Sequence, residues 1–324
     1  MPSLKEIKGR IASVKSTRKI TSAMKMVASS KLHHAQVAIQ NMLPYEEMLE
    51  HILKSFLAAE AELRTVYVQE RPVKRVALVV FSSNSSLCGG FNANTIKMMT
   101  PAVDEYAQVI GRDNIEIYPI GRKVYEKAKK MGLKVQGEFS ALADKPNVQQ
   151  CIEIAKELGE KFRVGDVDKV ELIYHHFKSA GSQVLTRKTF APIDIEEELT
   201  ADHERDLTSV IATKESQEYL KKRGEKERRS EGDEKVKPLN DNFIVEPDMD
   251  TVLSQLIPKL AHLMLYTALL DSNASEHAAR MVAMQTATDN ADELLRELNL
   301  QYNKSRQQAI TSELLDIVGG SVNN

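Results

Sequence analysis

Several residue types that mark common protein classes are scarce in this chain of 324 residues. Trp is absent and aromatic residues make up 5%, whereas Ala, Met, Lys and Glu are abundant, a bias that favours long helices over a β-sandwich. Only two cysteines occur, Cys88 and Cys151, without a CxxC pattern, so we expect two ordinary thiols in a reducing compartment. The formal net charge of −2 gives no global signal for nucleic-acid binding.

Long apolar runs are also missing. The N-terminus carries charges every few residues and lacks the apolar segment of a signal peptide. The most apolar run, Leu256 to Leu270, contains Pro258, Lys259 and His262 and is too short to span a bilayer. The sequence therefore predicts a soluble chain, which is compatible with docking on a membrane complex.

Signatures of catalytic and metal sites are likewise absent from the sequence. No HExxH, GxSxG or cysteine cluster occurs. His33-His34 and His175-His176 are adjacent pairs, and adjacent side chains on a helix or strand point too far apart to chelate one ion. We predict no catalytic residues, no metal site and no cofactor.

The loop from Ser85 to Phe91 is the one place where a nucleotide could bind. It follows a strand and precedes a helix, as a phosphate loop does, and contains Cys88-Gly89-Gly90. It does not match GxGxxG or GxxxxGK[ST], so a close-packed turn is the preferred interpretation. A nucleotide-binding enzyme stays an alternative.

The C-terminal stretch from Ser275 to Val318 predicts one long helix that pairs with a partner helix. It contains no Pro or Gly, and Gly319-Gly320 predicts its end. Apolar and small residues follow one another at alternating spacings of three and four, as in a heptad seam. The seam residues are Met281, Met284, Thr288, Ala291, Leu295, Leu298, Tyr302, Ser305 and Ala309.

A second, basic helix is predicted at the N-terminus, from about Leu4 to Leu43, with Pro44 as an interruption and further turns to about Ala61. Its seam is apolar at both ends and polar in the middle, around Arg18, Thr21 and Lys25. Eight cations face one early acid, so this helix could bind nucleic acid, a membrane face or an acidic protein ring, or it could present a solvated face. It lacks aromatic residues for base stacking, which weakens the nucleic-acid option. These cations are Lys5, Lys8, Arg10, Lys15, Arg18, Lys19, Lys25 and Lys31.

Between the helices, strands alternate with helices, which predicts a parallel or mixed sheet covered on both faces. The predicted strands are Val73–Ser82, Ile115–Ile120, Leu133–Phe139, Lys169–Phe177 and, at an edge, Gln183–Ile193. From Glu196 the composition becomes nearly all charged, which predicts a solvated insertion, partly helical from about Ser209 to Arg223. A helix is predicted to restart at Asp248, with Pro258 kinking it or resetting its start.

The predicted fold is therefore α/β: a long antiparallel coiled coil of the N- and C-terminal helices plus a central Rossmann-like α/β domain. The predicted boundaries are 1–61 for the first coiled-coil helix, 73–195 for the α/β domain, 196–242 for the insertion and 243–324 for the last helix.

Three stretches resemble the gamma subunits of F-type ATP synthases. They are Lys5–Leu32 (KEIKGRIASVKSTRKITSAMKMVASSKL), Ser86–Asn94 (SLCGGFNAN) and Ala274–Gly320, which ends in ITSELLDIVGG. Ser86 and Gly320 depart from the usual glycine and final alanine of these motifs. The insertion lacks the cysteine pair of photosynthetic members, so the resemblance carries no thiol regulation to this chain.

The resemblance implies a non-catalytic rotor shaft on the cytoplasmic face of the bacterial inner membrane. Its implied partners are the alpha and beta subunits of the hexamer, the epsilon subunit and the c-ring, and its implied role is to couple proton flow to ATP synthesis or hydrolysis by rotation. The family's coupling region corresponds to two groups of residues in this sequence. They are Met24, Lys25 and Arg280, expected near each other, and Gln307, Thr311 and Glu313, expected further along the last helix.

Overall fold

The computed structural model describes residues 3–58, 66–69, 71–194, 205, 245–246 and 248–321. In chain order the helices and strands are α1 (Leu4–Ala58), β1 (Val76–Phe81), α2 (Phe91–Ile110), β2 (Ile115–Ile120), α3 (Arg122–Lys130), β3 (Lys134–Val135), α4 (Ser140–Asp144), α5 (Val148–Val164), β4 (Lys169–Ser179), β5 (Ser182–Ala191) and α6 (Met249–Ser321). Single 3-10 turns lie at Val66–Val68 and Arg112–Asn114.

The two predicted terminal helices are confirmed, and they pack together. The prediction that Pro44 interrupts the first helix is wrong, because α1 continues through it as one helix of 55 residues. A proline removes one backbone hydrogen bond, but Met42 before it and Leu49 and Leu53 after it are buried, and this packing holds both sides of the helix.

The last helix also passes through its predicted breakpoints. α6 does not restart at Pro258, and it runs through Gly319 and Gly320 to Ser321, so the predicted stop at this glycine pair is wrong. Within the described residues, the stretch Thr251–Leu315 of α6 is long and apolar enough to cross a membrane by length and composition. More than half of its most apolar window is buried inside the molecule, as in the core helix of a folded domain.

The five strands form one mixed sheet in the order β3-β2-β1-β4-β5. β1 pairs in parallel with both β2 and β4, β2 pairs in parallel with β3, and β5 pairs antiparallel with β4 at the edge. The order 3-2-1-4-5 is that of the Rossmann arrangement, with the last strand reversed. This result confirms the predicted α/β domain and the predicted edge strand.

The predicted strand Leu133–Phe139 is wrong over most of its length. Only Lys134 and Val135 pair with β2, because Gly137 adopts a left-handed conformation with φ of +70° and turns the chain away. The short helix α4, which no sequence pattern indicated, follows.

The central strand β1 is buried on both faces. On one face Val76, Leu78 and Val80 pack with Met99 and Val103 of α2. Residues on the other face are equally buried, and the Phe81 ring there contacts the Tyr174 ring edge-on. Cys88 and Cys151 are both buried free thiols, and burial raises the pKa of Cys151 to about 12.

Packing divides the chain into two compact units, Met1–Ser29 with Arg280–Asn324, and Ser30–Ala279. The first unit contains the N-terminal part of α1 and the C-terminal part of α6. The second contains the sheet, its helices and the remaining parts of α1 and α6. The predicted insertion at 196–242, including its predicted helix at 209–223, lies outside the described residues except for Arg205.

Candidate functional site

In the first unit α1 and α6 run antiparallel along the predicted seam. Ile7 and Ala28 of α1 are buried, as are Met284, Leu295 and Leu298 of α6. The other predicted seam positions of α6 between residues 281 and 309 are at least partly buried, so the heptad prediction is confirmed.

The middle of this seam is polar. The hydroxyls of Thr21 and Thr288 lie 2.8 Å apart, and each also lies within hydrogen-bonding distance of a carbonyl of its own helix. Arg18 Nε donates to Asp292 Oδ1 at 2.5 Å, with both side chains about half exposed. Exposed ion pairs contribute little to stability, so we expect these polar contacts to align the two helices while adding little to the free energy of their pairing.

The two cross-helix contacts set the register of the pair. Each step toward the C-terminus of α1 is a step toward the N-terminus of α6, so Met24 lies level with Gln285 and Arg280 lies level with Ser29. At about 1.5 Å per residue, Met24 and Arg280 are roughly 7.5 Å apart along the axis. Met24, Lys25 and Arg280 are each partly buried.

The same register leaves the last turns of α6 without α1 beside them. Leu4, the first residue of α1, lies level with Ser305 and Arg306. From Gln307 onward α6 therefore extends beyond the start of α1. Leu314 and Leu315 on this extension are 57% and 65% exposed.

The structure places the six predicted coupling residues in two separate groups. Gln307, Thr311 and Glu313 are exposed on the extension of α6. The Thr311 hydroxyl donates to the Gln307 carbonyl at 2.9 Å, one turn back on the same face, whereas Glu313 points to a different face. Some 27 residues of helix, roughly 40 Å, separate Arg280 from Gln307.

The loop after β1 uses its own polar groups internally. Asn92 Oδ1 accepts from the Ser83 backbone N–H at 3.0 Å, and Asn92 Nδ2 lies 3.1 Å from the Cys88 sulfur. Cys88 is buried within the turn. Because Asn92 bonds to Ser83 and Cys88 within the loop, the geometry favours the close-packed turn over a phosphate cradle.

The histidine pairs do not converge on one point. On β4, His175 is buried and stacks on Phe91 with ring centroids 4.4 Å apart, whereas His176 Nδ1 donates to Asp271 Oδ2 at 2.6 Å on the other face. His33 and His34 are exposed on α1. In the described part of the chain, no group of three or more His, Cys, Asp or Glu side chains is arranged to hold a metal ion.

Two buried ionic networks in the second unit were missed by sequence reasoning. In one, Glu171 accepts from Tyr106 at 2.6 Å and Arg187 at 2.6 Å, and Lys169 lies 3.0 Å away. Burial favours the neutral acid, but these hydrogen bonds hold the pKa of Glu171 below its usual value.

The other network joins Arg205, Asp271, Glu46 and His176. Asp271 directly follows the most apolar run of the chain, and a lone acid in such a position needs a buried partner. That signal was available, although it does not identify the partner.

Comparison with known proteins assigns the family. The ATP synthase family model matches residues 3–322. An ATP synthase gamma chain from Phocaeicola vulgatus is 53% identical over 322 residues, covering 99% of this chain and 100% of the relative. One from Flavobacterium johnsoniae is 41% identical over 322 residues, covering 99% of this chain and 98% of the relative.

Solved structures share the fold at lower identity. A chain of the Euglena gracilis mitochondrial ATP synthase, in a structure of OSCP, F1 and c-ring, is 18% identical with a TM-score of 0.57, covering 99% of this chain and 94% of that one. A chain from the Tetrahymena thermophila mitochondrial ATP synthase, in a structure of central stalk and c-ring, is 23% identical with a TM-score of 0.50, covering 83% of this chain and 99% of that one. The chain therefore belongs to the ATP synthase gamma chain family, whose members are non-catalytic subunits that form the central stalk of the rotor.

Proposed function

We propose that this chain is the axle that couples proton flow through the c-ring to ATP synthesis or hydrolysis at the beta subunits by rotating inside the alpha/beta hexamer. Family membership supports the role, and the partners that follow from it are the alpha, beta and epsilon subunits and the c-ring. The complex then sits on the cytoplasmic face of the bacterial inner membrane, with this chain as a peripheral subunit.

The unpaired extension of α6 is the observation that carries this proposal. Leu314, Leu315 and the half-exposed Ile310 lie on a single helix that α1 does not reach. Burying one leucine side chain contributes roughly 1.5–3 kcal/mol of favourable free energy, so this exposed apolar group favours a protein partner around the extension. A ring of subunits closed around the extension provides such cover.

The N-terminal part of α1 supports a rotating contact in a different way. Its cations, among them Lys5, Lys8, Lys15 and Lys19, are exposed. Charged side chains attract an acidic partner over a distance that salt limits to about 10 Å, without the fixed fit of an apolar interface. We infer that this face meets acidic loops of the beta subunits as the shaft turns.

The six coupling residues are proposed to act in two places along the shaft. Met24, Lys25 and Arg280 act where α1 and α6 are paired, and Gln307, Thr311 and Glu313 act on the extension. Their partial or full exposure supports contact with surrounding subunits. The separation of the two groups supports two contact levels.

Affinity purification of the synthase through a tag on this chain tests the proposal. We expect the tagged chain to recover the alpha and beta subunits. The double variant Leu314→Gln with Leu315→Gln should recover less of both subunits from equal amounts of expressed chain. The two leucines are exposed in the chain alone, and the variant removes the apolar surface that the hexamer would bury. The matched control is Leu300→Gln, since Leu300 is 66% exposed on the paired part of α6.

If the unaltered chain is recovered without alpha and beta subunits, the proposed role as the rotor shaft is wrong. Equal recovery with the double variant and the control would show that Leu314 and Leu315 do not bind the alpha/beta hexamer.

A further inference from the structure

Arg205 is the one residue of the charged stretch 196–242 that the structure describes, and it is buried among three other elements. Its side chain is 2% exposed. Nε donates to Asp271 Oδ1 at 3.0 Å and Nη2 donates to Asp271 Oδ2 at 3.2 Å, which is a two-bond fork on α6. Nη1 donates to Glu46 Oε2 of α1 at 3.3 Å.

The third element is the sheet. His176 of β4 donates from Nδ1 to Asp271 Oδ2 at 2.6 Å, the oxygen that also accepts from Arg205 Nη2. The carboxylate of Asp271 is 1% exposed, and that of Glu46 is 9% exposed. One guanidinium therefore links α1 and α6 directly, and Asp271 extends the link to β4.

A buried charge is unfavourable unless oppositely charged groups surround it. Burial opposes the charge of Arg205, but Asp271 and Glu46 more than offset this and hold its pKa above the usual value. Without Arg205, two carboxylates would lie buried with one fewer cation between them. The rigid planar fork of arginine can bind both at once, whereas a lysine ammonium is a single point charge.

We propose that Arg205 is a positioning residue of the stalk, a buried cross-brace that ties α1, α6 and β4 to one another in the second unit. This inference rests on the proposed function, because a shaft that transmits torque must keep its two helices from sliding past each other. Buried ion pairs often add little net stability, but in some proteins buried polar groups fix the register of the elements they join, which is the role we assign to Arg205.

The test uses the complete synthase in membrane vesicles, with the Arg205→Met variant. Methionine keeps an unbranched apolar stem and removes the charge. We expect the amount of proton pumping per ATP hydrolysed to fall several-fold in assembled complexes, with hydrolysis itself retained. Arg205→Lys should recover part of this loss, because it restores the charge without the fork.

Arg163→Met is the matched control. Arg163 makes shorter bonds to Glu160 than Arg205 makes to its partners, at 2.6 and 2.8 Å, but on the exposed surface of α5. Its loss should leave both pumping and hydrolysis unchanged.

Amide hydrogen exchange in the same complexes gives a second readout that does not depend on activity. Exchange around Glu46 in α1 and Asp271 in α6 should rise in Arg205→Met and stay unchanged in Arg163→Met. If Arg205→Met fails to assemble, Asp271→Asn replaces it. That variant keeps the shape of the side chain, removes its charge and turns one acceptor oxygen into a donor, so the two-bond fork to Arg205 is lost.

If proton pumping and hydrogen exchange in Arg205→Met or Asp271→Asn match those of the control, Arg205 does not position the helices. The proposed function as the rotor shaft would still stand. An axle that fails to recover alpha and beta subunits would instead overturn the proposed function itself, so the two failures can be told apart.

Discussion

At the scale of single residues, the burial of His175 predicts a specific acid sensitivity. Burial lowers its pKa to about 4, from an ordinary value near 6.5 in the unfolded chain. Between these two values the unfolded chain binds a proton that the folded chain does not, so stability falls as the pH drops below about 6.5. The imidazole is stacked on Phe91, with Nδ1 at 3.5 Å from the Thr95 hydroxyl, and an apolar ring can occupy the same space.

We therefore expect His175→Phe to reduce the loss of stability between pH 7 and pH 5 by about 2 kcal/mol. The measurement is urea unfolding of the purified chain at both pH values. His34→Phe serves as the control, because His34 is already exposed on α1. An identical pH dependence in the unaltered chain and in His175→Phe would contradict the argument.

Sequence periodicity identified the residues of the seam but not those of the ionic networks. Met284, Leu295 and Leu298 recur at helical spacing, so their burial could be predicted from one short stretch. Arg205 and Asp271 are 66 positions apart in sequence, and no period connects them. Such a pair is decided by how the elements meet, which only the fold shows.

At the scale of the elements, proline is the residue whose effect was overestimated. Pro44 and Pro258 lie inside long helices, and Pro101 lies inside α2. The local rule is sound, since proline lacks the N–H that a helix interior needs, but buried residues on both sides can outweigh one lost bond. The opposite error occurred at β3, where the left-handed Gly137 ended a strand that its neighbours favoured.

Replacement of Pro44 by alanine measures how much the proline lowers the free energy of unfolding. Pro44 is exposed, and it cannot donate a hydrogen bond to the Gln40 carbonyl. We expect Pro44→Ala to raise the free energy of unfolding by about 1–3 kcal/mol, because alanine restores this bond and removes the ring clash.

Urea unfolding of the purified chain checks this value, with Glu47→Ala as a control at an exposed position of the same helix. The control should stay within about 0.5 kcal/mol of the unaltered chain. A lower stability of Pro44→Ala than of the unaltered chain would contradict this expectation.

At the scale of the whole molecule, the pairing of the two chain ends was predictable and its register was not. Two long helices that flank one α/β domain must run antiparallel if they pair. The contacts Thr21–Thr288 and Arg18–Asp292 together show that they do. The length of the unpaired tip depends on which residues lie opposite each other. A seam of small and polar residues discriminates poorly between neighbouring registers, so the extension beyond Arg306 followed only from the structure.

Met24 allows torque transmission to be separated from folding. Its side chain is partly buried, next to Lys25 and about one and a half turns along the axis from Arg280. Met24→Lys places a third cation in this crowded region, and like charges at such distances repel. We expect proton pumping and ATP synthesis to fall several-fold in membrane vesicles, whereas the melting temperature of the complex changes little. Met26→Lys is the control, because Met26 lies two residues further along α1 and is 66% exposed, so that its added charge stays in solvent. Equal rates of ATP synthesis in the two variants at the same proton-motive force would show that the half-buried position of Met24 has no special part in coupling.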